Sequence, residues 1–390
     1  MKKLFSKIDK PLLILTIICL VFGTLMIGSA SSLKSYMVYG TSYRFLIKQI
    51  AIASVGVIGA LIVLKIPIKT YNKLIYFGII GIILALIYVL FKGDVNRGIT
   101  GWITIGPVTI QPSEFAKTIL IVYYAVVFEK MMRIKNAAPK DVKDLIVQNV
   151  VKMLPFIVPL IIMLLIFKQP DLGTMTIIAA ITLMAFIVVP YDLKTKFVFA
   201  GLATIMVLIL ITAMVVTGKG LTAAQKSRLN FREPCTRYRE PTGYQVCNGF
   251  IAINSGGLLG TGLGNSKQKY LYLPEAHTDF IYAIIIEEMG MITGIFIMLL
   301  YFIILYRILL IGRKSYNLQG TMICYCVATY IAAHIILNLT GVLGLLPLTG
   351  VPLPFYSYGG SFIMNLLVCI GLVQRVSIEN KLFEQKHLVR

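Results

Sequence analysis

An all-α membrane protein with about ten transmembrane helices is the fold this sequence predicts, and three observations carry the prediction. The first is composition: 58% of the 390 residues are hydrophobic and 14% are charged, with a mean hydropathy of +0.85. A soluble chain carries roughly 25% charged residues, so lipid must cover much of this surface. The second is that the apolar residues gather in blocks of about 20, the length that crosses a bilayer as a helix. The third is that lysines and arginines fall between those blocks. The formal charge of +21 therefore reads as topology signals and headgroup contacts, not as a nucleic-acid footprint. Barrel strands would be shorter and would alternate, so helices are the expected spans.

The expected spans are residues 11–30, 45–64, 73–91, 113–128, 151–167, 174–189, 197–216, 280–311, 319–343 and 355–373. Lys2, Lys3, Lys7 and Lys10 precede the first and put the amino terminus in the cytoplasm. The alternating loops with Lys65, Lys69 and Lys73, with Lys130, Arg133, Lys135, Lys140 and Lys143, and with Arg313 and Lys314 then fall on the same side. An even number of spans returns the basic tail of Lys381, Lys386 and Arg390 there too. The first apolar run is long for a signal-peptide core, so it is read as a span despite the small residues Gly28 to Ser31. The run 280–311 exceeds what a bilayer needs and should tilt or emerge into water.

The whole chain, 1–390, reads as a single transmembrane domain, with residues 217–279 as an extracytoplasmic loop inside it. That loop contains Gly256-Gly257-Leu258-Leu259-Gly260-Thr261-Gly262-Leu263-Gly264, which can turn sharply or approach a ligand closely. No strand pattern precedes it, so it is not a nucleotide fingerprint, and a flexible turn region is the plainer reading. Cys235 and Cys247 share the loop, where an oxidising exterior allows a disulfide. A zinc site lacks ligands, with only His277 near the pair. The inner segment 131–148 is basic and reads as amphipathic chain at the headgroups.

Polar residues at the rim of a membrane are costly and point to function. Here they collect at the external helix ends. Gln111-Pro112-Ser113-Glu114-Phe115-Ala116-Lys117 opens the fourth span, and Gln169-Pro170-Asp171-Leu172-Gly173-Thr174 joins the fifth to the sixth. Tyr272 to Phe280 enters the eighth, and Pro347 to Ser361 leads into the tenth. Few metabolite energy donors exist outside a cell. A substrate carrying its own activation and its own lipid anchor, such as a polyprenyl diphosphate sugar, fits that setting. Lys117 and the loop arginines could meet a diphosphate, and a carboxylate such as Asp279 could take a proton from an acceptor hydroxyl.

These motifs resemble the shape, elongation, division and sporulation (SEDS) family, which includes FtsW, RodA and SpoVE. The matching pieces are Trp102 with Gln111 to Lys117, Gln169 to Thr174, Gly243 to Gly257, Leu273 to Ile281, and Ser357-Tyr358-Gly359-Gly360-Ser361, so the likeness spans nearly the whole chain. The resemblance implies a glycosyltransferase that polymerises lipid II into peptidoglycan outside the cytoplasmic membrane. It also implies a class B penicillin-binding protein as transpeptidase partner, alongside other divisome or elongasome membrane proteins. Asp279 matches the family's essential aspartate and Trp102 its aromatic between spans three and four. Pro274-Glu275-Ala276-His277 is spelled more like the FtsW and SpoVE branch. Gly101 stands where many relatives have arginine, with Arg97 nearby, and Ile286 precedes Glu287-Glu288 where glycine is common. The cysteine pair is not a general family feature.

Joining an α-linked donor into a β-linked polymer requires inversion, hence one displacement and one base. Asp279 is the candidate base, oriented by His277 or Thr278, against a helix-capping role at the eighth span. Lys117, with Arg228 or Arg232, is expected to neutralise the departing diphosphate, against a local Glu114–Lys117 pair and a solvated arginine face. Glu114 could position Lys117 or hold a divalent cation; no other cofactor or metal is expected. Trp102 could stack on sugar or sit in an interfacial belt. Ser357, Gly359 and Gly360 join the substrate-binding set, the glycines allowing a tight re-entry into the last helix. Glu287 and Glu288 read as buried structure in preference to catalysis, and a flippase or a non-catalytic scaffold are the competing functions.

Overall fold

The computed structural model describes residues 6–96, 99–106, 108–133, 148, 150–201, 204, 231–270 and 272–388. Ten helices of more than one turn can be named: α1 Lys10–Tyr39, α2 Arg44–Lys65, α3 Tyr71–Lys92, α4 Pro112–Arg133, α5 Ile157–Phe167, α6 Leu172–Val188, α7 Pro241–Gly256, α8 Ile281–Arg313, α9 Leu318–Val342 and α10 Gly360–Leu388. Among the described residues, seven helical stretches are long and apolar enough to cross a membrane. They are α1, α2, residues 68–92, residues 150–167, α8, α9 and 360–387 of α10. The apolar α6 is shorter, and α4 has the length but carries charge at both ends. The helix beginning at residue 193 runs into residues outside the description, as does most of the expected span 197–216 and of segment 131–148.

Local sequence explains the helix starts. Asp9 caps α1 by accepting from the Leu12 amide at 3.0 Å, Asp171 caps α6 through Thr174 at 2.9 Å, and Asn317 caps α9 through Gly320 at 2.9 Å. α10 is almost wholly buried and packs along α2, while α2 and α3 turn most of their apolar surface outward. Small residues permit that packing: a side chain on Gly371 would lie 3.0 Å from the Ala60 backbone. The core continues through α9, which lies against α4, α6, α8 and α10.

Two polar ends close the bundle. At the amino-terminal end, Arg307 pairs with Asp9, Gln374 receives the Asp9 amide at 2.8 Å, and Arg375 pairs with Glu379 at 2.9 Å. Glu379 also accepts from the Ile68 amide at 2.9 Å. The far end holds the expected functional motifs. It also holds a feature the composition hid, an antiparallel sheet of β1 Asp94–Asn96, β2 Ile99–Ile105 and β3 Val108–Ile110 in that order. Its β-branched run was the available signal.

Two expected helices are corrected. The run 280–311 is broken at Gly290, whose φ of 84° and ψ of 167° leave the helix. The last helix starts at Gly360, not at 355, because Phe355 takes a left-handed φ of 68°. Gly359 and Gly360 are not in the left-handed region, so no tight glycine turn leads into α10.

Candidate active site

Asp279 ends a run of turns that precedes α8. Successive backbone bonds, from Ala276 to Leu273 at 3.2 Å and from Phe280 to Glu275 at 3.1 Å, stiffen this run. Asp279 is buried, and the α8 N-cap position belongs to Phe280. Its backbone carbonyl accepts from Asn338 Nδ2 at 2.8 Å, and the same amide group reaches the Val351 carbonyl at 2.8 Å. Ser357 Oγ donates to the Thr278 carbonyl at 2.7 Å and accepts from the Leu353 amide at 2.7 Å. The Tyr358 amide donates to the His277 carbonyl at 2.8 Å. The turn 275–280 is thereby stitched to the turn 350–358. A side chain built on Gly350, whose φ is 72°, would sit 3.4 Å from Asp279 Oδ2. The carboxylate thus lies against glycine backbone.

The expected orienting groups divide. Thr278 Oγ1 is spent on Glu275 Oε2 at 2.5 Å. His277 stacks near Phe45 and Tyr358, with ring centroids at 5.0 and 5.6 Å. Burial pushes the Tyr358 phenol up to about 12, so it stays neutral near pH 7. Asn338 and Ser357 act on the backbone that carries Asp279. Ser357 was in the expected set; Asn338 was not.

Lys117 is fully buried. Its ammonium meets Glu114 Oε1 at 2.7 Å and His334 Nε2 at 3.1 Å, and it lies over the Tyr330 and Phe362 rings at 5.5 and 6.0 Å. His334 Nδ1 lies 3.1 Å from the Pro352 carbonyl, which can only accept. The ring proton is therefore on Nδ1, and Nε2 accepts a hydrogen bond from the Lys117 ammonium. Asn365 donates to the Glu114 carbonyl at 2.9 Å, and Ser361 Oγ accepts the Gln111 amide at 2.9 Å. His334 and Asn338, one turn apart on α9, thus grip the adjacent carbonyls of Pro352 and Val351. That grip brings the Lys117 cluster to the back of the Asp279 turn. Two polar residues at i and i+4 in an apolar span were the signal that could have found them.

The remaining expectations fall elsewhere. The Lys117 ammonium meets Glu114 Oε1, while the buried Oε2 has no hydrogen-bond partner. Among the described residues no three His, Cys, Asp or Glu side chains converge to hold a metal. Trp102 is half-buried in β2 opposite Asp94. The sheet stands over Gln111, whose amide reaches Asp171 Oδ2 at 3.2 Å. Arg228 and Arg97 lie outside the described residues. The Arg232 carbonyl receives the Arg237 guanidinium, within their own turn. Cys235 and Cys247 are bonded, with Cα atoms 5.0 Å apart, and tie that turn to α7. The glycine run Gly256 to Gly264 packs against the break in α8.

The FtsW/RodA/SpoVE cell cycle protein model matches residues 10–382. The chain belongs to that family. It is 34% identical to the probable peptidoglycan glycosyltransferase FtsW of Bacillus subtilis, over 99% of this chain and 94% of the relative. It is 33% identical to stage V sporulation protein E of the same organism, over 95% and 96%. Among solved structures, a chain from a peptidoglycan synthase complex that coordinates polymerization and crosslinking superposes with a TM-score of 0.72 at 23% identity, covering 96% and 98%. The rod shape determining protein RodA of Thermus thermophilus gives 0.65 at 22%, covering 95% and 96%. The SEDS fold and a multi-pass membrane protein follow for this member of the family.

Proposed function

We propose that this family member is a peptidoglycan glycosyltransferase that polymerises lipid II, with Asp279 as the base. The observation that carries the residue assignment is the turn 275–280, a buried carboxylate held against Gly350 and stitched at three points to the 350–358 turn. Such stitching fixes a base to the tolerance that proton transfer needs. In the reaction, an acceptor hydroxyl oxygen attacks the anomeric carbon of the growing chain while its proton passes to the Asp279 carboxylate. The bond from that carbon to the diphosphate breaks, and undecaprenyl diphosphate leaves with the electron pair. Lys117, buried and paired with Glu114, adds no net charge; it acts through His334, which it holds against the Pro352 carbonyl behind the Asp279 turn.

The distribution of lysine and arginine supports an exoplasmic position for the Asp279 end and cytoplasmic termini. A class B penicillin-binding protein is the proposed partner, since polymerised strands need crosslinking. Trp102, Arg228, His277, Ser357, Gly359 and Gly360 remain proposed substrate neighbours. A transport path is disfavoured by α10, whose face is apolar or cysteine from Leu366 to Val373, between Asn365 and Gln374. The test is purified protein with lipid II and the partner synthase, with glycan strands resolved on gels. Polymer from wild type and none from Asp279→Ala is expected. Lipid II crossing vesicle membranes without any polymer would overturn the assignment, and full activity in Asp279→Ala would remove its base.

A further inference from the structure

The break in α8 at Gly290 frees backbone groups that an intact helix would pair, and the glycine run supplies partners for four of them. The Glu287 carbonyl accepts from the Thr261 amide at 2.9 Å and the Glu288 carbonyl from the Gly262 amide at 2.9 Å. The Met291 amide donates to the Gly257 carbonyl at 2.9 Å and the Ile292 amide to the Leu258 carbonyl at 3.3 Å. Chain meets chain closely enough that a side chain on Gly260 would lie 2.3 Å from the Glu288 carbonyl. The two side chains just before the break then hold the segment that follows. Glu287 accepts from Ser266 Oγ at 2.5 Å, the Lys267 amide at 2.9 Å and the Gln268 amide at 3.3 Å. Glu288 pairs with Lys269 at 2.8 Å and accepts from Ser29 of α1 at 2.8 Å, while Lys269 also donates to the Gly264 carbonyl at 2.6 Å. Ser266, Lys269, Glu287 and Glu288 are all buried.

Residues 266–280 are therefore a closed loop hung on α8 at both ends: at its start by Glu287 and Glu288, and at its end by running into the helix. Asp279 sits at the second attachment. We propose that Glu287, Glu288 and Lys269 are positioning residues for the reaction at Asp279, setting where its turn meets the 350–358 turn; this rests on the reading of Asp279 as base. Five acceptor atoms at the break, two backbone carbonyls and three carboxylate oxygens, lock one path for the loop. Two buried carboxylates serve here as a jig, not as a proton path. The Lys269–Glu288 pair links that path to α1 through Ser29, so the loop cannot shift without moving three elements.

The test uses the full-length protein in detergent with lipid II as probe and three variants. Glu288→Gln removes the charge that holds Lys269, Ser266→Ala deletes one hydroxyl without changing charge, and Asp279→Ala is the control. Glu288→Gln is expected to lower kcat about tenfold or more with KM for lipid II within about twofold, since displacement by about 1 Å is enough to cost that much. Amides of 266–280 should exchange faster in the same protein. Ser266→Ala should show both effects, smaller, and it serves if Glu288→Gln fails to fold. A wild-type kcat in the folded variant, or a reduced kcat with unchanged exchange across 266–280, overturns the positioning role. If Asp279→Ala is inactive while the other two match wild type, the clamp alone fails. If Asp279→Ala polymerises, the base assignment fails first.

Discussion

Glu114–Lys117 and Lys269–Glu288 are both buried ion pairs, at 2.7 and 2.8 Å, but they are built in different ways. The first lies within the opening turns of α4, three residues apart, so the helix brings its own countercharge wherever it goes. Tertiary structure adds only His334 and the aromatic lining. The second joins a loop to α8 and α1, and it exists only once the glycine run has filled the break at Gly290. A buried pair is weak evidence for stability, because desolvation offsets much of the attraction, while breaking one partner leaves a charge uncompensated. The local pair supports His334 behind the site. The long-range pair sets the path of the chain that carries Asp279.

The largest effect should come from Gly290→Val. The new side chain would begin 2.2 Å from the Leu258 carbonyl at a φ of 84°, so we expect loss of folded protein in detergent, a cost above about 4 kcal/mol. Next, Lys117→Met and Lys269→Met should each destabilise by about 3–5 kcal/mol, measured as thermal unfolding of purified protein. They differ in where exchange rises: around α4 and α9 for the first, across 264–280 for the second. Adding Glu114→Gln to Lys117→Met should recover most of the loss, because no charge is then left alone. Gly350→Ala should cost about 1–2 kcal/mol from the left-handed backbone, with slower polymerisation and little change in lipid II KM, since the methyl meets Asp279 Oδ2 at 3.4 Å. The exposed Arg133–Glu129 pair at 2.8 Å provides the baseline. Arg133→Gln should move stability by less than about 0.5 kcal/mol and leave the polymerisation rate unchanged.

Much of the fold was legible because bilayer-crossing helices announce themselves locally. The block boundaries read from hydropathy fall within a few residues of α2, α6 and α9. The exceptions are instructive. The 355–359 stretch is as apolar as a helix start, yet the left-handed Phe355 keeps it a turn. The sheet between α3 and α4 is built of strands of only three to seven residues, too short for their alternation to declare a period beside the long apolar blocks. In the site, Asp279, Ser357 and the Glu114–Lys117 pair were readable from motif and spacing. His334 and Asn338 were not, because nothing within α9 says which carbonyls of a distant loop they will meet.

The amino-acid sequence determined the helical membrane class, the expected sidedness, the local ion pair of α4 and the gathering of polar motifs at one set of helix ends. Each of these follows from neighbours within a turn or two of chain, or from transfer between water and lipid. Tertiary structure alone decided that α8 breaks at Gly290, that Gly256 to Gly264 fill the break, and that α9 ties the Lys117 cluster to the turn bearing Asp279. Those are contacts between segments far apart in the chain. Their energy comes from satisfying buried polar groups with partners that only packing can supply.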